Sequence, residues 1–146
     1  MTETVPSRHA AAALLVRQDG AVLLQLRDDK PGIAQPGRWA VPGGAGEAGE
    51  TPHEIAVREL LEETGYRAGE LFPLLSERFE RDGVLVQHTI FWAEYDGVQP
   101  VWCFEGQEMR WLPLEAALQL DLTPNCAAAL ALLPAALGTR SKTGAR

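Results

Sequence analysis

The chain has 146 residues, 46% of them hydrophobic, and a formal net charge of -7. That length and apolar content suffice for one packed core, and the acidic balance argues against a surface built to hold a nucleic-acid polymer, which normally carries a basic patch. No run of residues approaches the roughly 18 uninterrupted apolar positions of a bilayer span, and MTETVPSRHA lacks a basic segment leading into an apolar one, so the expectation is a cytoplasmic protein without a membrane partner.

Ala11 to Val16 and Ala21 to Leu26 are apolar on either side of the turn signal Asp19-Gly20, which predicts an opening β-hairpin. From Arg27 to Arg38, Lys30-Pro31-Gly32 and Gln35-Pro36-Gly37 predict an irregular loop. Trp39 to Pro42 reads as a short buried strand running into the glycine-rich stretch Gly43 to Glu50. A helix is then signalled over Pro52 to Thr64. Thr51 is a good N-cap, Pro52 suits the first helical position, Glu54 completes a capping box, and Gly65 is placed to end the helix.

Leu71 to Phe79 and Val84 to Tyr95 predict two further strands around the Arg81-Asp82-Gly83 turn, and Trp111-Leu112 a short one. Leu114 to Leu118 and Asn125 to Leu133 read as helices, the second capped near Thr123 and broken by Pro134. Residues 138–146 are small, polar and basic and are expected to lack regular structure, leaving 1–137 as one domain. This order of elements predicts an α/β protein of the α+β kind, a sandwich of helices and a mixed sheet. Cys103 and Cys126 have no CxxC spacing, and Cys126 lies in an alanine-rich apolar run typical of buried free thiols, which fits a reducing compartment.

On the Pro52 to Thr64 helix, Glu59, Glu62 and Glu63 follow i, i+3, i+4 spacing and share one arc. Ala56, Val57, Leu60, Leu61 and Thr64 fall on the opposite arc, the one a core would accept. Like charges at this spacing repel, and a divalent cation would remove that repulsion. Mg²⁺ suits such a ridge because it prefers oxygen donors and is commonly held by a few carboxylates plus substrate phosphate. The alternative is an ordinary solvated acidic face.

The segment Gly44-x5-Glu50-x7-Arg58-Glu59-Leu60-x-Glu62-Glu63-x-Gly65-Tyr66 decides between them, since it resembles the Nudix box at every position. Only Tyr66 stands where an aliphatic residue is commoner. By this resemblance the chain is expected to have the Nudix α/β/α sandwich and to cleave a phosphoanhydride bond in a nucleoside diphosphate derivative. The resemblance implies Mg²⁺, for which Mn²⁺ can substitute, held by Glu59, Glu62, Glu63 and the carbonyl of Gly43. Gly44 permits close approach of the loop, and Arg58 orients a box glutamate, with Glu50 the expected partner. An ordinary surface pair of Arg58 with Glu54 or Glu62 is the alternative.

A general base in such enzymes lies inside or outside the box, and here Glu63 and Glu105 are the candidates. Glu105-Gly106-Gln107 resembles the Lys-Glu-Gly-Gln loop of MutT-like Nudix hydrolases, with Phe104 in place of the lysine; Glu108 aligns less well. Asn125 follows Pro124 where MutT-like enzymes have a purine-binding asparagine, and it is equally a helix N-cap. Arg27 is placed to reach phosphate, or to pair with Asp28 or Asp29. Trp39 and Phe91 offer base stacking or core packing. Marker residues of the ADP-ribose, diadenosine polyphosphate and NADH branches are missing. An oxidised purine triphosphate such as 8-oxo-dGTP therefore leads, with nucleotide sugars or other nucleoside triphosphates second and a nucleotide-sensing domain third. A homodimer is also expected by resemblance.

Overall fold

The computed structural model describes residues 5–144, with side-chain surroundings described through 139. Strand β1 (Arg8–Val16) is buried on both faces, as its unbroken run of alanine, leucine and valine requires. It pairs in parallel with β6 (Val84–Glu94) over its whole length, from Arg8↔Val86 to Val16↔Glu94. The expected turn after β1 forms, but β2 (Val22–Leu26) keeps only the Val16↔Val22 register with β1 and then follows β7 (Glu108–Leu112) antiparallel. The short β3 (Trp39–Ala40) lies on the other side of β2, and β5 (Phe72–Arg81) completes the order β3-β2-β1-β6-β5.

Alternating side chains of this mixed sheet feed two cores. Ala12, Leu14, Val22, Leu24, Ile90 and Trp92 pack against Cys126, Ala129, Leu130 and Leu133 of α3 (Pro124–Gly144). On the opposite face Ala11, Ala13, Leu15, Leu23 and Phe91 pack against Ile55, Ala56 and Leu60 of α1 (Pro52–Thr64). The short α2 (Leu114–Ala117) leads from β7 towards α3. Trp39 and Phe91 belong to the two cores, which is the packing use of these rings. Among the described residues no helix is long and apolar enough to cross a membrane.

Two local expectations are corrected. Gly43–Ala45 is a strand, β4, antiparallel to β1 through Ala11↔Gly44 and Ala12↔Gly43, and not simply loop. Helix α3 runs through Pro134 and continues over 138–144, where neither helix nor other regular structure was expected. Pro134 is exposed, while Leu130 and Leu133 beneath it hold the helix to the sheet. Packing thus carries the helix past the backbone hydrogen bond that proline removes. Residues 145 and 146 lie outside the described residues.

Candidate active site

Helix α1 starts and stops where local chemistry sets it. The Thr51 side chain accepts from the Glu54 N–H, the Glu54 carboxylate accepts from the Thr51 N–H, and Gly65 closes the helix in the left-handed region with φ 77°. The preceding loop is pressed onto this helix by β4. A side chain at Gly43 would collide with the backbone of Ala11 and Ala12, and a Cβ at Gly44 would lie 2.5 Å from Glu59 Oε2. These two glycines allow the loop carbonyls to lie directly against the acidic side of α1.

Arg58 organises that side. Its Nε and Nη2 donate to the two oxygens of Glu50 at 2.7 and 2.9 Å, its Nη1 donates to Glu59 at 2.9 Å and to Glu62 at 3.2 Å, and Nη2 also reaches the carbonyl of Ala45 at 3.1 Å. This is the planar fork bonding that only arginine supplies. The guanidinium is the main reason the Glu50 carboxyl is held down at about 2. The Glu50 partnership is thus present, and the pairing with Glu62 accompanies it.

The three glutamates differ sharply in environment. Glu62 is largely exposed, Glu59 is nearly covered, and Glu63 is buried at 2% exposure. Helical spacing placed all three on one ridge opposite the core-facing arc. Glu63 departs from it because the segment 101–107 folds over the end of α1, with the Trp102 and Phe104 N–H groups donating to the carbonyls of Thr64 and Glu63. Gln25 of β2 donates to Glu63 Oε1 at 2.9 Å, whereas Glu63 Oε2 is buried without a partner. Burial first, and then the neighbouring carboxylates of Glu59 and Glu105, push the Glu63 carboxyl up to about 9.

Among the described residues, no three His, Cys, Asp or Glu side chains are grouped as a ready-made metal centre, and Glu59 and Glu62 are held by Arg58. The donor set nevertheless fits a hard divalent cation. An orphaned buried carboxylate oxygen on Glu63, the adjacent Glu59, and Glu62 one turn away supply oxygen ligands alone, and one of them lacks the partner a buried polar atom requires.

Beside this cluster lies a cavity of about 220 Å³ lined by Gln25, Arg27, Asp28, Lys30, Ile33, Glu105 and Gly106. Glu105 and Arg27 therefore come together at the cleft. Arg27 Nε donates to the carbonyl of Ala34 at 2.9 Å, bracing the loop that walls the cavity, and the alternative pairing with Asp28 or Asp29 is not the bond that forms. Asn125 is not part of that lining. It stands in the first turn of α3, where its Oδ1 accepts from the Thr123 hydroxyl at 2.9 Å. Gln25 is the residue that sequence reasoning passed over. The one signal it gave was an amide in the otherwise apolar strand Val22–Leu26. Its amide nitrogen also donates to the carbonyl of Glu105 at 3.0 Å, tying the cavity rim to the buried glutamate.

Tyr66, the unusual residue of the motif, is buried at the end of α1. Its hydroxyl accepts from the Asp96 N–H at 2.9 Å, an anchor that an aliphatic side chain would not supply.

Comparison with known proteins agrees with this geometry. The sequence profile described as NUDIX domain matches residues 6–133. A CMP-5'-(N-acetyl-N-hydroxy-3-aminopropyl)phosphonate hydrolase of Streptomyces rubellomurinus is 35% identical over 118 residues, covering 72% of this chain and 56% of that protein. The chain thus spans little more than half the length of that relative. A Bacillus subtilis protein named "Putative 8-oxo-dGTP diphosphatase" is 41% identical over 121 residues, covering 79% of this chain and 72% of its own. The solution structure of the E. coli ORF135 protein superposes with a TM-score of 0.72 at 26% identity, over 95% of this chain and 94% of that one.

Proposed function

The chain belongs to the Nudix family, and on that premise we propose that it is a pyrophosphohydrolase acting on a nucleoside triphosphate, with oxidised purine triphosphates of the 8-oxo-dGTP type as the leading substrate class. Members of the family generally use divalent metal ions; for this chain the proposed ion is Mg²⁺, with Mn²⁺ as substitute. The observation that carries the reading is the unpartnered, buried Oε2 of Glu63, on a carboxylate neighbouring Glu59 and tied through Gln25 to the cavity wall. When bound by Glu59, Glu62, Glu63 and the Gly43 carbonyl, the ion would neutralise phosphate oxygens and make water a competent nucleophile at neutral pH.

The chain's own residues supply the rest. Arg58 is a positioning residue, because its fork fixes Glu50 against the loop and holds Glu59 and Glu62 in their rotamers. Gln25 fixes one oxygen of Glu63 and leaves the other unpartnered for the ion. Glu105, exposed on the lip of the cavity, is placed to accept the proton of the attacking water, which leaves Glu63 to the ion. Arg27 and Lys30 line the same cavity and offer donors to a phosphate chain, while Asp28 and Glu105 line it too and Asp28 pairs with Lys30, so attraction for the chain would rest on the bound ion as well.

The substrate class is supported by the similarity to the Bacillus subtilis protein. Asn125 is proposed to read the purine edge with its amide nitrogen, the Thr123 hydroxyl having fixed its oxygen. The test is steady-state hydrolysis with Mg²⁺ against normal and oxidised nucleoside triphosphates, nucleotide sugars and dinucleotides, scoring phosphate and pyrophosphate release. Selective pyrophosphate release from 8-oxo-dGTP is the expected result, with Asn125→Ala reducing the preference for the oxidised base. Preference for another nucleotide would overturn the substrate, and no turnover with either ion would replace catalysis by nucleotide sensing.

A further inference from the structure

Strand β5 is an edge of the sheet, and among the described residues no strand pairs with its outer side. It is also long, ten residues from Phe72 to Arg81, and its pairing with β6 is regular from Leu75↔Ile90 to Arg81↔Val84. Such an edge presents a row of backbone donors and acceptors to any chain that fits it. Which residues present them follows from the neighbouring strand. The carbonyl of Leu85 accepts from Ser7 N–H, so the polar backbone groups of Leu85 face the β1 side. Glu80, which stands opposite Leu85, therefore directs its own N–H and C=O away from β6, and alternation directs those of Arg78 and Ser76 the same way. Those of Glu77, Phe79 and Arg81 turn inward.

A second β5 strand arriving antiparallel must match outward residues to outward residues, and two-fold symmetry restricts the central registers to a few. Centring on Arg78 or on Glu80 sets each of those charges against its own copy. Centring on Glu77 opposes two glutamates. Only the register centred on Phe79 places Arg78 opposite Glu80 of the second copy, Glu77 opposite Arg81, and Phe79 beside Phe79. Directly opposite residues share a face of the sheet, so each of these is a true side-chain pair. The sequence Glu77-Arg78-Phe79-Glu80-Arg81 is therefore complementary to itself in one permitted register and repulsive in the neighbouring ones.

We propose that this chain forms a two-fold homodimer by antiparallel pairing of the β5 edges, centred on Phe79, which continues the sheet through both copies. Charges on an edge strand ordinarily guard against such pairing; here they select one alignment of it. The edge is the far end of the β3-β2-β1-β6-β5 order from the β2 side that lines the cavity, so both clefts stay open and the dimer does not depend on the catalytic reading.

The test is the mass in solution by light scattering after size exclusion. The native chain is expected at twice 15.9 kDa. Glu80→Arg opposes arginine to arginine in the proposed register and is expected to give the 15.9 kDa species, with hydrolysis per chain unchanged. The exchange Arg78→Glu with Glu80→Arg restores opposite charges across the axis and is expected to restore the dimer. Glu80→Pro removes an outward N–H that β6 does not use, so it should abolish the dimer while the circular dichroism spectrum is kept. A monomeric native chain at about 100 µM, a dimer indifferent to Glu80→Arg and Glu80→Pro, or failure of the double exchange to recover the dimer would each overturn the proposal.

Discussion

Gln25 and Glu63 meet inside the protein through a single bond, the Gln25 amide nitrogen lying 2.9 Å from Glu63 Oε1, and the other carboxylate oxygen has no partner at all. A buried acid in that setting holds its proton, as its rise to about 9 reflects. Between the ordinary value near 4.5 and about 9, the unfolded chain has released this proton while the folded chain has kept it. The stability contributed by the retained proton is therefore complete below 4.5 and lost as pH rises through about 9. Metal-free protein should melt at falling temperature across that window. Glu63→Gln is expected to flatten the slope and raise the melting point at pH 8 by roughly 3–9 °C, read by calorimetry in chelator; a variant melting with the native pH slope would refute the assignment.

Arg58→Lys tests the fork. Lysine offers one ammonium to acceptors on Glu50, Glu59, Glu62 and Ala45, and cannot meet Glu50 with two parallel bonds. Turnover should fall at least about ten-fold, with a small loss of stability, because the acceptors left unmatched are exposed or only partly covered. Native kinetics in this variant would reduce Arg58 to an ordinary surface pair.

Glu62→Gln and Glu105→Gln separate ion binding from proton transfer. Glu62 is 56% exposed, so its amide replacement should fold normally, weaken Mn²⁺ binding in calorimetry and lower kcat roughly 100-fold or more. Glu105→Gln should leave Mn²⁺ affinity unchanged and lower kcat, by less than Glu62→Gln does. An unaltered kcat would take Glu105 out of the reaction.

Gly43 and Gly44 should fail differently when changed to alanine. The new methyl at Gly43 meets the backbone of β1, which has no room to retreat, and a destabilisation of about 1–3 kcal/mol is expected by urea unfolding. At Gly44 it meets the movable Glu59 carboxylate, so Gly44→Ala should fold but bind Mn²⁺ more weakly. Equal effects of the two on stability would show that the loop is looser than its pairing with β1 implies.

Helix α1 was legible to the residue because every signal that sets it is local, from the Thr51 and Glu54 capping box to the left-handed Gly65. The candidate ion ligands Glu59, Glu62 and Glu63 come from the same segment, by its resemblance to the Nudix box. Their environments were not legible there, because Glu63 is buried by Gln25 and by residues 101–107, far away in sequence. Strand β4 escaped for a related reason. Two glycines and an alanine carry no strand preference, and only the neighbouring β1 makes them extended. Pro134 argues locally for a helix end, and the contacts of Leu130 and Leu133 with the sheet outweigh it.

The hub at Arg58 has a last consequence for how such a protein lives with scarce ions. Because Glu59 and Glu62 already own a positive partner, loading of the proposed ion would be an exchange between cations, with the guanidinium giving up those two carboxylates. The acidic side of the helix would then owe little of its order to the ion, unlike small domains whose folding waits for their metal. Affinity would be the difference between two attractions.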